Sequence, residues 1–81
     1  MQGRHSYTAE NMLDEKSEAL ENALYVALNT LEENALMAER LAARSREHEH
    51  AAKRFEERAR DARRQAATIR QVLTEDAADV V

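Results

Sequence analysis

No glycine and no proline occurs anywhere between Ala9 and Val81. These two residue types most often end a helix or start a tight turn, so their absence over so long a stretch favours long helices. In the second half of the chain, apolar residues recur at alternating steps of three and four, the spacing of a helix that packs lengthwise against another helix. The residues of this stripe are Ala52, Phe55, Ala59, Ala62, Ala66, Ile69 and Leu73.

The first half of the chain predicts a helix with more apolar surface than one partner helix can cover. This helix is expected to begin at Ala9, with Thr8 as its N-cap, and to end at about Ser45. Its two stripes overlap in part; the first consists of Leu13, Leu20, Leu24, Ala27, Leu31, Ala38 and Leu41, and the second of Ala19, Ala23, Tyr25, Val26, Leu28, Ala35 and Leu36. A helix with two apolar faces must be covered on both of them.

The apolar pattern lapses between Arg44 and His50, where every residue is polar. We predict a turn near residues 45–50 and a second helix from about Glu49 to Leu73, so that the chain is all-α and forms an antiparallel hairpin of two long helices. Because every residue of this turn could also continue a helix, a single rod is the alternative. The predicted organisation is a flexible N-terminal segment over residues 1–8, the hairpin over 9–73 and a frayed acidic tail over 74–81.

Charge is divided unequally between the two arms of this hairpin. Residues 10–39 hold eight acidic side chains against one lysine, whereas residues 40–70 hold ten basic side chains against five acidic ones. An antiparallel hairpin puts the acidic arm against the basic arm, so the charges favour this orientation. We do not expect nucleic-acid binding, because the acidic arm can neutralise the arginines.

An 81-residue chain without cysteine has few ways to stabilise its fold. A core of this size supplies little net stability, and neither a disulfide nor a thiolate metal site is possible, so self-association is the means that is left. The predicted second helix is also shorter than the first, about 37 Å against about 55 Å, and leaves part of the first uncovered. We therefore predict that two chains form a four-helix bundle as a homodimer.

Asn34 has two interpretations within this bundle. It falls between Leu31 and Ala38 on the first stripe, where a buried asparagine fixes register and oligomeric state at some cost in stability. Alternatively, it lies at the edge of the stripe and is hydrated. The residues expected at the hairpin and oligomer interfaces are Leu13, Leu20, Leu24, Ala27, Leu28, Leu31, Asn34, Ala38, Leu41, Phe55, Ala59, Ala62, Ala66, Ile69 and Leu73.

No catalytic or metal site is expected from these residues. His48 and His50 are two positions apart, and on a helix such side chains diverge and chelate a metal poorly. The serines and threonines lack a histidine with an acid to orient it, and a single glycine cannot form a phosphate-binding loop. We expect no cofactor. Apolar runs are too short to span a bilayer, so we expect a soluble, cytoplasmic protein without membrane insertion.

Four segments together carry a family resemblance. They read HSYTAENML at residues 5–13, EALENALYVALNTLEE at 18–33, RFEERA at 54–59 and IRQVL at 69–73. With these segments, the chain resembles the C-terminal helical extension that is attached to some bacterial chemotaxis protein-glutamate methylesterases. The resemblance covers nearly the whole chain.

This resemblance implies a role outside catalysis. In that family, ester hydrolysis belongs to an α/β catalytic domain with a Ser-His-Asp arrangement, which removes methyl groups from receptor glutamates; the present residues contain none of its glycine-flanked serine region. Family members also tend to carry a cysteine-rich stretch before a Gly-His at the start of the extension. Here Arg4 replaces that glycine and these residues contain no cysteine, so the role of His5 is left open.

The function expected from sequence is therefore a non-catalytic dimerisation or protein-interaction module of a chemotaxis methylesterase-like signalling protein. Its partners would be a second copy of itself and other signalling proteins. The alternative is a free-standing helical adaptor or a nucleoid-type DNA-binding protein.

Overall fold

The chain folds into two long helices joined by a short turn. The computed structural model describes the backbone of residues 8–80 and the side chains of residues 8–75. Helix α1 spans Ala9–Arg44 and helix α2 spans Glu49–Val80. Thr8 caps α1 as predicted: its hydroxyl oxygen accepts a hydrogen bond of 3.1 Å from the backbone N–H of Asn11, which satisfies one of the free donors of the first turn.

The turn at residues 45–48 forms without glycine because its backbone needs no left-handed residue. Ser45 has φ −99° and ψ 20°, and its N–H donates to the carbonyl oxygens of Leu41 and Ala42. The N–H of His48 then donates to the carbonyl of Ser45 at 2.8 Å. No residue in the described part of the chain has a positive φ, so the polar residues of this segment reverse the chain at no steric cost.

The two helices pack antiparallel along a stripe that we call the inner seam. In α1 its members recur at steps of four and three, and in α2 they are the residues predicted from the sequence. The seam consists of Leu24, Leu28, Leu31, Ala35, Ala38 and Ala42 from α1, and of Ala52, Phe55, Ala59, Ala62, Ala66, Ile69 and Leu73 from α2, all of them buried or half-buried. The predicted all-α antiparallel hairpin is confirmed, and the alternative rod is wrong.

Alanine fills the middle of the inner seam. Ala35 is fully buried, and around it lie five more buried alanines: Ala38, Ala42, Ala59, Ala62 and Ala66. Larger side chains pack at the open end of the hairpin, where Leu28 and Leu73 form a cluster with partly buried Leu24, Leu31 and Ile69. Among the described residues, no large side chain is completely buried. Because the hydrophobic contribution scales with the apolar area removed from water, this core is thin.

Two ion pairs join the acidic arm to the basic arm on one flank of the hairpin. Glu39 pairs with Arg63 and Glu32 pairs with Arg70, the cross-arm attraction that the charge pattern predicts. In both pairs the residue numbers add up to 102, so the last residue of α2 lies level with about residue 22 of α1. Residues 9–21 of α1 therefore project beyond α2, and we call them the overhang.

Two details of the helices differ from the sequence-based prediction. The structure extends α2 to Val80, seven residues beyond the predicted end at Leu73; no helix-breaking residue lies in between. It also places Leu28 and Ala35 on the same side of α1 as Leu24, Leu31 and Ala38, not on a separate stripe, because the steps from 24 to 38 alternate regularly between four and three. Of the predicted flexible segment 1–8, residues 1–7 lie outside the described residues, and fraying of the tail stays a prediction.

Candidate functional site

A second apolar face of α1 is largely uncovered by the described part of the hairpin. Its large side chains are exposed: Leu13 by 65 %, Leu20 by 60 % and Met37 by 60 %. Scattered exposed apolar residues are normal on a soluble protein, whereas exposed apolar residues that recur on one side of a helix are typical of an interaction site. This face is the strongest candidate for a functional site in the described part of the chain.

The exposed face has a regular repeat of its own. From Ala9 onward its residues alternate strictly between steps of four and three, as a second packing seam requires. We call this set the outer stripe; it consists of Ala9, Leu13, Lys16, Leu20, Ala23, Ala27, Thr30, Asn34, Met37 and Leu41. Each outer-stripe residue from Ala23 onward directly precedes a residue of the inner seam, so the two stripes lie about 100° apart around the helix. Helix α1 thus carries a second stripe with the spacing of a packing seam, on a different side from the one that α2 covers.

The residues of the overhang indicate that a longer α2 would not cover the outer stripe. If the inner seam continued toward the start of α1, its next members would be Glu21, Ser17, Asp14 and Glu10, which are all polar. The apolar residues of the overhang lie instead on the outer stripe, where Leu13 and Leu20 are exposed. Any helix that covers the overhang therefore packs against a different side of α1 from the one that α2 covers.

A shallow groove of about 200 Å³ runs beside the outer stripe near the turn end. It lies between the two helices and is lined by Asn34, Met37, Ala38, Leu41, Phe55 and Arg58. Phe55 and Leu41 are only half-buried, so the groove leaves part of both side chains in contact with water. This groove extends the apolar surface of the outer stripe onto α2.

The two flanks of the hairpin differ in their electrostatics. On the flank away from the groove, the guanidinium of Arg63 donates to both carboxylate oxygens of Glu39, with distances of 2.8 and 2.9 Å. These hydrogen bonds hold the pKa of the Glu39 carboxyl below its ordinary value of 4.5 and raise the pKa of Arg63. The ion pairs thus occupy the side of α1 that does not carry the outer stripe.

The predicted interface residues divide between the two seams. Ten of them lie in the inner seam: Leu24, Leu28, Leu31, Ala38, Phe55, Ala59, Ala62, Ala66, Ile69 and Leu73. The other five lie on the outer stripe: Leu13, Leu20, Ala27, Asn34 and Leu41. Asn34 is exposed at the edge of the groove in the single chain, and its burial in a seam stays a prediction.

The predicted interface residues leave out several members of the two seams. Ala35 and Ala42 are buried and Ala52 is half-buried in the inner seam, and Met37 is exposed on the outer stripe. Alanine carries little hydrophobic signal, so a search for large apolar residues overlooks the step of four from Leu31 to Ala35. The regular alternation of three and four along α1 is the signal that identifies both buried alanines.

The histidines and an open cleft at the turn are the other features that could bind a ligand. The described residues contain no group of three or more histidine, cysteine, aspartate or glutamate side chains placed to hold a metal ion. His48 and His50 are exposed at the turn, and His5 lies outside the described residues. An open cleft of about 480 Å³ beside the turn is lined by alanines and by side chains of both charges, among them Glu39, Arg46 and Lys53. No described helix is long and apolar enough to cross a membrane.

Comparison with known proteins gives no relative for this chain: no protein-family model, no curated protein and no solved structure matches it.

Proposed function

We propose that this chain is a non-catalytic self-association and protein-interaction module that works as a homodimer, with two hairpins forming a four-helix bundle. The observation that carries the proposal is the outer stripe. It repeats with the period of a packing seam along nearly the whole of α1, while Leu13, Leu20 and Met37 on it are each at least 60 % exposed in the single chain. A face of this kind is stabilised by burial against another helix.

The thin inner seam supports the same proposal. Its central residues are alanines, and each of them removes much less apolar area from water than a leucine does. Small domains without a disulfide or a metal commonly gain the missing stability by association. Burial of the outer stripe in a dimer would therefore stabilise each hairpin as well as join the two copies.

The biological setting is proposed from the sequence resemblance alone. The segments at residues 5–13 and 18–33 resemble the C-terminal extension of chemotaxis methylesterases, and they include most of the overhang. We propose that the module serves a cytoplasmic signalling protein of this type, in which another part of the protein carries any ester hydrolysis. The dimer would then bring two such proteins together and present the charged outer faces of α2 to other signalling proteins.

The test is thermal unfolding followed by circular dichroism over a wide range of chain concentrations. If folding is coupled to association, the Tm rises with concentration by mass action. A variant with both Leu13→Gln and Leu20→Gln should unfold at a lower Tm that no longer depends on concentration. Leu36→Gln serves as the matched control, because Leu36 is also exposed but lies off the outer stripe. A wild-type Tm that is independent of concentration would contradict the proposal.

The alternative of a DNA-binding protein has one favourable observation, the exposed arginines of α2. Arg54, Arg58 and Arg60 are exposed, whereas Arg63 and Arg70 are held by carboxylates of α1. A titration of duplex DNA at about 50 mM salt tests this alternative, because non-specific binding is strongest at low salt. The absence of binding there would exclude the alternative, and tight, salt-sensitive binding would favour it.

A further inference from the structure

The order of residues along the outer stripe makes the stripe complementary to itself when it runs in the opposite direction. We propose that α1 packs antiparallel against α1 of a second copy, in the register in which the numbers of facing residues add up to 50. This inference rests on the proposed self-association, and it adds the orientation, the register and the residues that set them.

Every outer-stripe residue has a matching partner in this register. Large apolar side chains face apolar or methyl-bearing ones, two alanines face each other near the two-fold axis, and Lys16 faces Asn34. The facing pairs are Ala9 with Leu41, Leu13 with Met37, Lys16 with Asn34, Leu20 with Thr30, and Ala23 with Ala27 of the second copy. Because the axis is two-fold, each pair occurs twice in the dimer.

A shift by one heptad in either direction breaks the match. One shift places Lys16 against Ala27 and the other places it against Leu41, while Asn34 then faces Ala9 or Ala23. Both Lys16 and Asn34 are exposed in the single chain, and each would lose hydration against an apolar side chain without gaining a hydrogen-bond partner. A polar residue in a seam commonly fixes the register in this way.

The shape of the hairpin fits the same arrangement. In the proposed register, the overhang of one copy lies along the turn end of the other, where Leu13 faces Met37 at the groove beside Phe55. The overhang has an open apolar recess of its own, lined by Ala9, Met12, Leu13 and Lys16. Packing the recess of one copy against the groove of the other removes both from water.

Charge favours the antiparallel orientation over a parallel one. Residues 9–21 carry five carboxylates against one lysine, whereas residues 40–58 carry six basic side chains against four glutamates. The antiparallel dimer places each acidic overhang beside the basic turn end of the other copy. A parallel dimer would instead bring the two overhangs together and set Lys16 beside Lys16, where like charges repel.

The orientation can be measured with spin labels, because the chain has no cysteine of its own. Single variants Asn22→Cys and Ala43→Cys each carry one label at an exposed position off the outer stripe. In the proposed register the two labels of an Asn22 dimer are separated by about 9 Å along the axis and those of an Ala43 dimer by about 54 Å. A slip of one heptad changes the longer separation by about 10 Å.

The polar pair provides a second, independent test by sedimentation equilibrium. Asn34→Asp should tighten the dimer by about threefold to tenfold, because a carboxylate then faces Lys16 twice per dimer, and Asn34→Lys should weaken it by a similar factor. Adding Lys16→Glu to Asn34→Lys should raise the affinity again, to at least the wild-type value, because a carboxylate then faces an ammonium twice per dimer. The matched controls are Asn29→Asp and Asn29→Lys, which make the same changes at an exposed position off the outer stripe.

The outcomes separate this inference from the function on which it rests. A wild-type chain that stays monomeric overturns both. A dimer whose labels at residues 22 and 43 give equal separations is parallel, which overturns the inference and leaves self-association intact. A long separation that differs from about 54 Å by a heptad step overturns the register, and so does a lack of coupling between Lys16 and Asn34.

Discussion

Replacement of Leu20 by alanine should dissociate the dimer without unfolding the hairpin. Leu20 lies on the outer stripe in the overhang and is 60 % exposed in the single chain. It has no place in the inner seam, so its truncation leaves the contacts between α1 and α2 unchanged. The variant therefore separates the stability of the association from the stability of the fold.

The size of the effect follows from the exposed fraction of the side chain. Complete burial of a leucine contributes about 1.5–3 kcal/mol. Since 60 % of Leu20 is still available for burial, its share of the interface is about 1–2 kcal/mol per copy, or about 2–4 kcal/mol for the two copies of a dimer. The dissociation constant should rise by about 30-fold to 700-fold.

Sedimentation equilibrium measures this dissociation constant directly, and urea unfolding at a concentration below it measures the stability of the hairpin. Leu36→Ala is the matched control, since it makes the same change at a residue that is 48 % exposed and lies off the outer stripe. An unchanged dissociation constant for Leu20→Ala would refute the assignment of the interface to the outer stripe. An equal rise in the dissociation constant for Leu36→Ala would refute it as well.

Three further predictions concern the hairpin itself. Because Arg63 lowers the pKa of Glu39, the ion pair stabilises the fold above pH 4.5, and this stabilisation is lost as the pH falls through the lowered pKa. The free energy of unfolding in urea should therefore differ less between pH 7 and pH 3 for Glu39→Gln than for the wild type. Ala62→Leu should destabilise the hairpin by about 1–3 kcal/mol by forcing the close helices apart, whereas Ala67→Leu, at an exposed position of α2, should have little effect on urea unfolding. Thr8→Ala should destabilise the first turn of α1 by about 1 kcal/mol, which faster exchange of its amide protons would show. Thr8→Asp should keep the slow exchange of the wild type, because aspartate is also a good N-cap.

The sequence was sufficient to identify the buried side of α2, whereas the buried side of α1 was ambiguous. On α2 one strict stripe of apolar residues is flanked mainly by charged and polar residues, and the exceptions up to Leu73 are Ala51, Ala67 and Val72, so the pattern identifies one buried side. On α1 apolar residues occupy both the inner seam and the outer stripe, and periodicity alone does not say which side faces α2. The burial of Leu28 and Ala35 between the helices settles this assignment.

Other features depended on interactions that a sequence pattern does not carry. The turn at residues 45–48 has no glycine or proline. Its position could be predicted from the interruption of the apolar pattern, but not from residue types that favour turns. The end of α2 at Val80 was missed because the loss of the apolar pattern after Leu73 does not end a helix by itself. The placement of Asn34 at the edge of a groove required the position of Phe55 on the other helix.

The most direct test of the central claim, that the outer stripe joins two copies of this chain, is the solution mass of the unmodified protein. Sedimentation equilibrium over chain concentrations from about 1 μM to 1 mM covers the range of ordinary dimer affinities. Self-association predicts a mass that rises with concentration to twice the chain mass of 9.2 kDa. A mass that stays at 9.2 kDa over the whole range would contradict the claim.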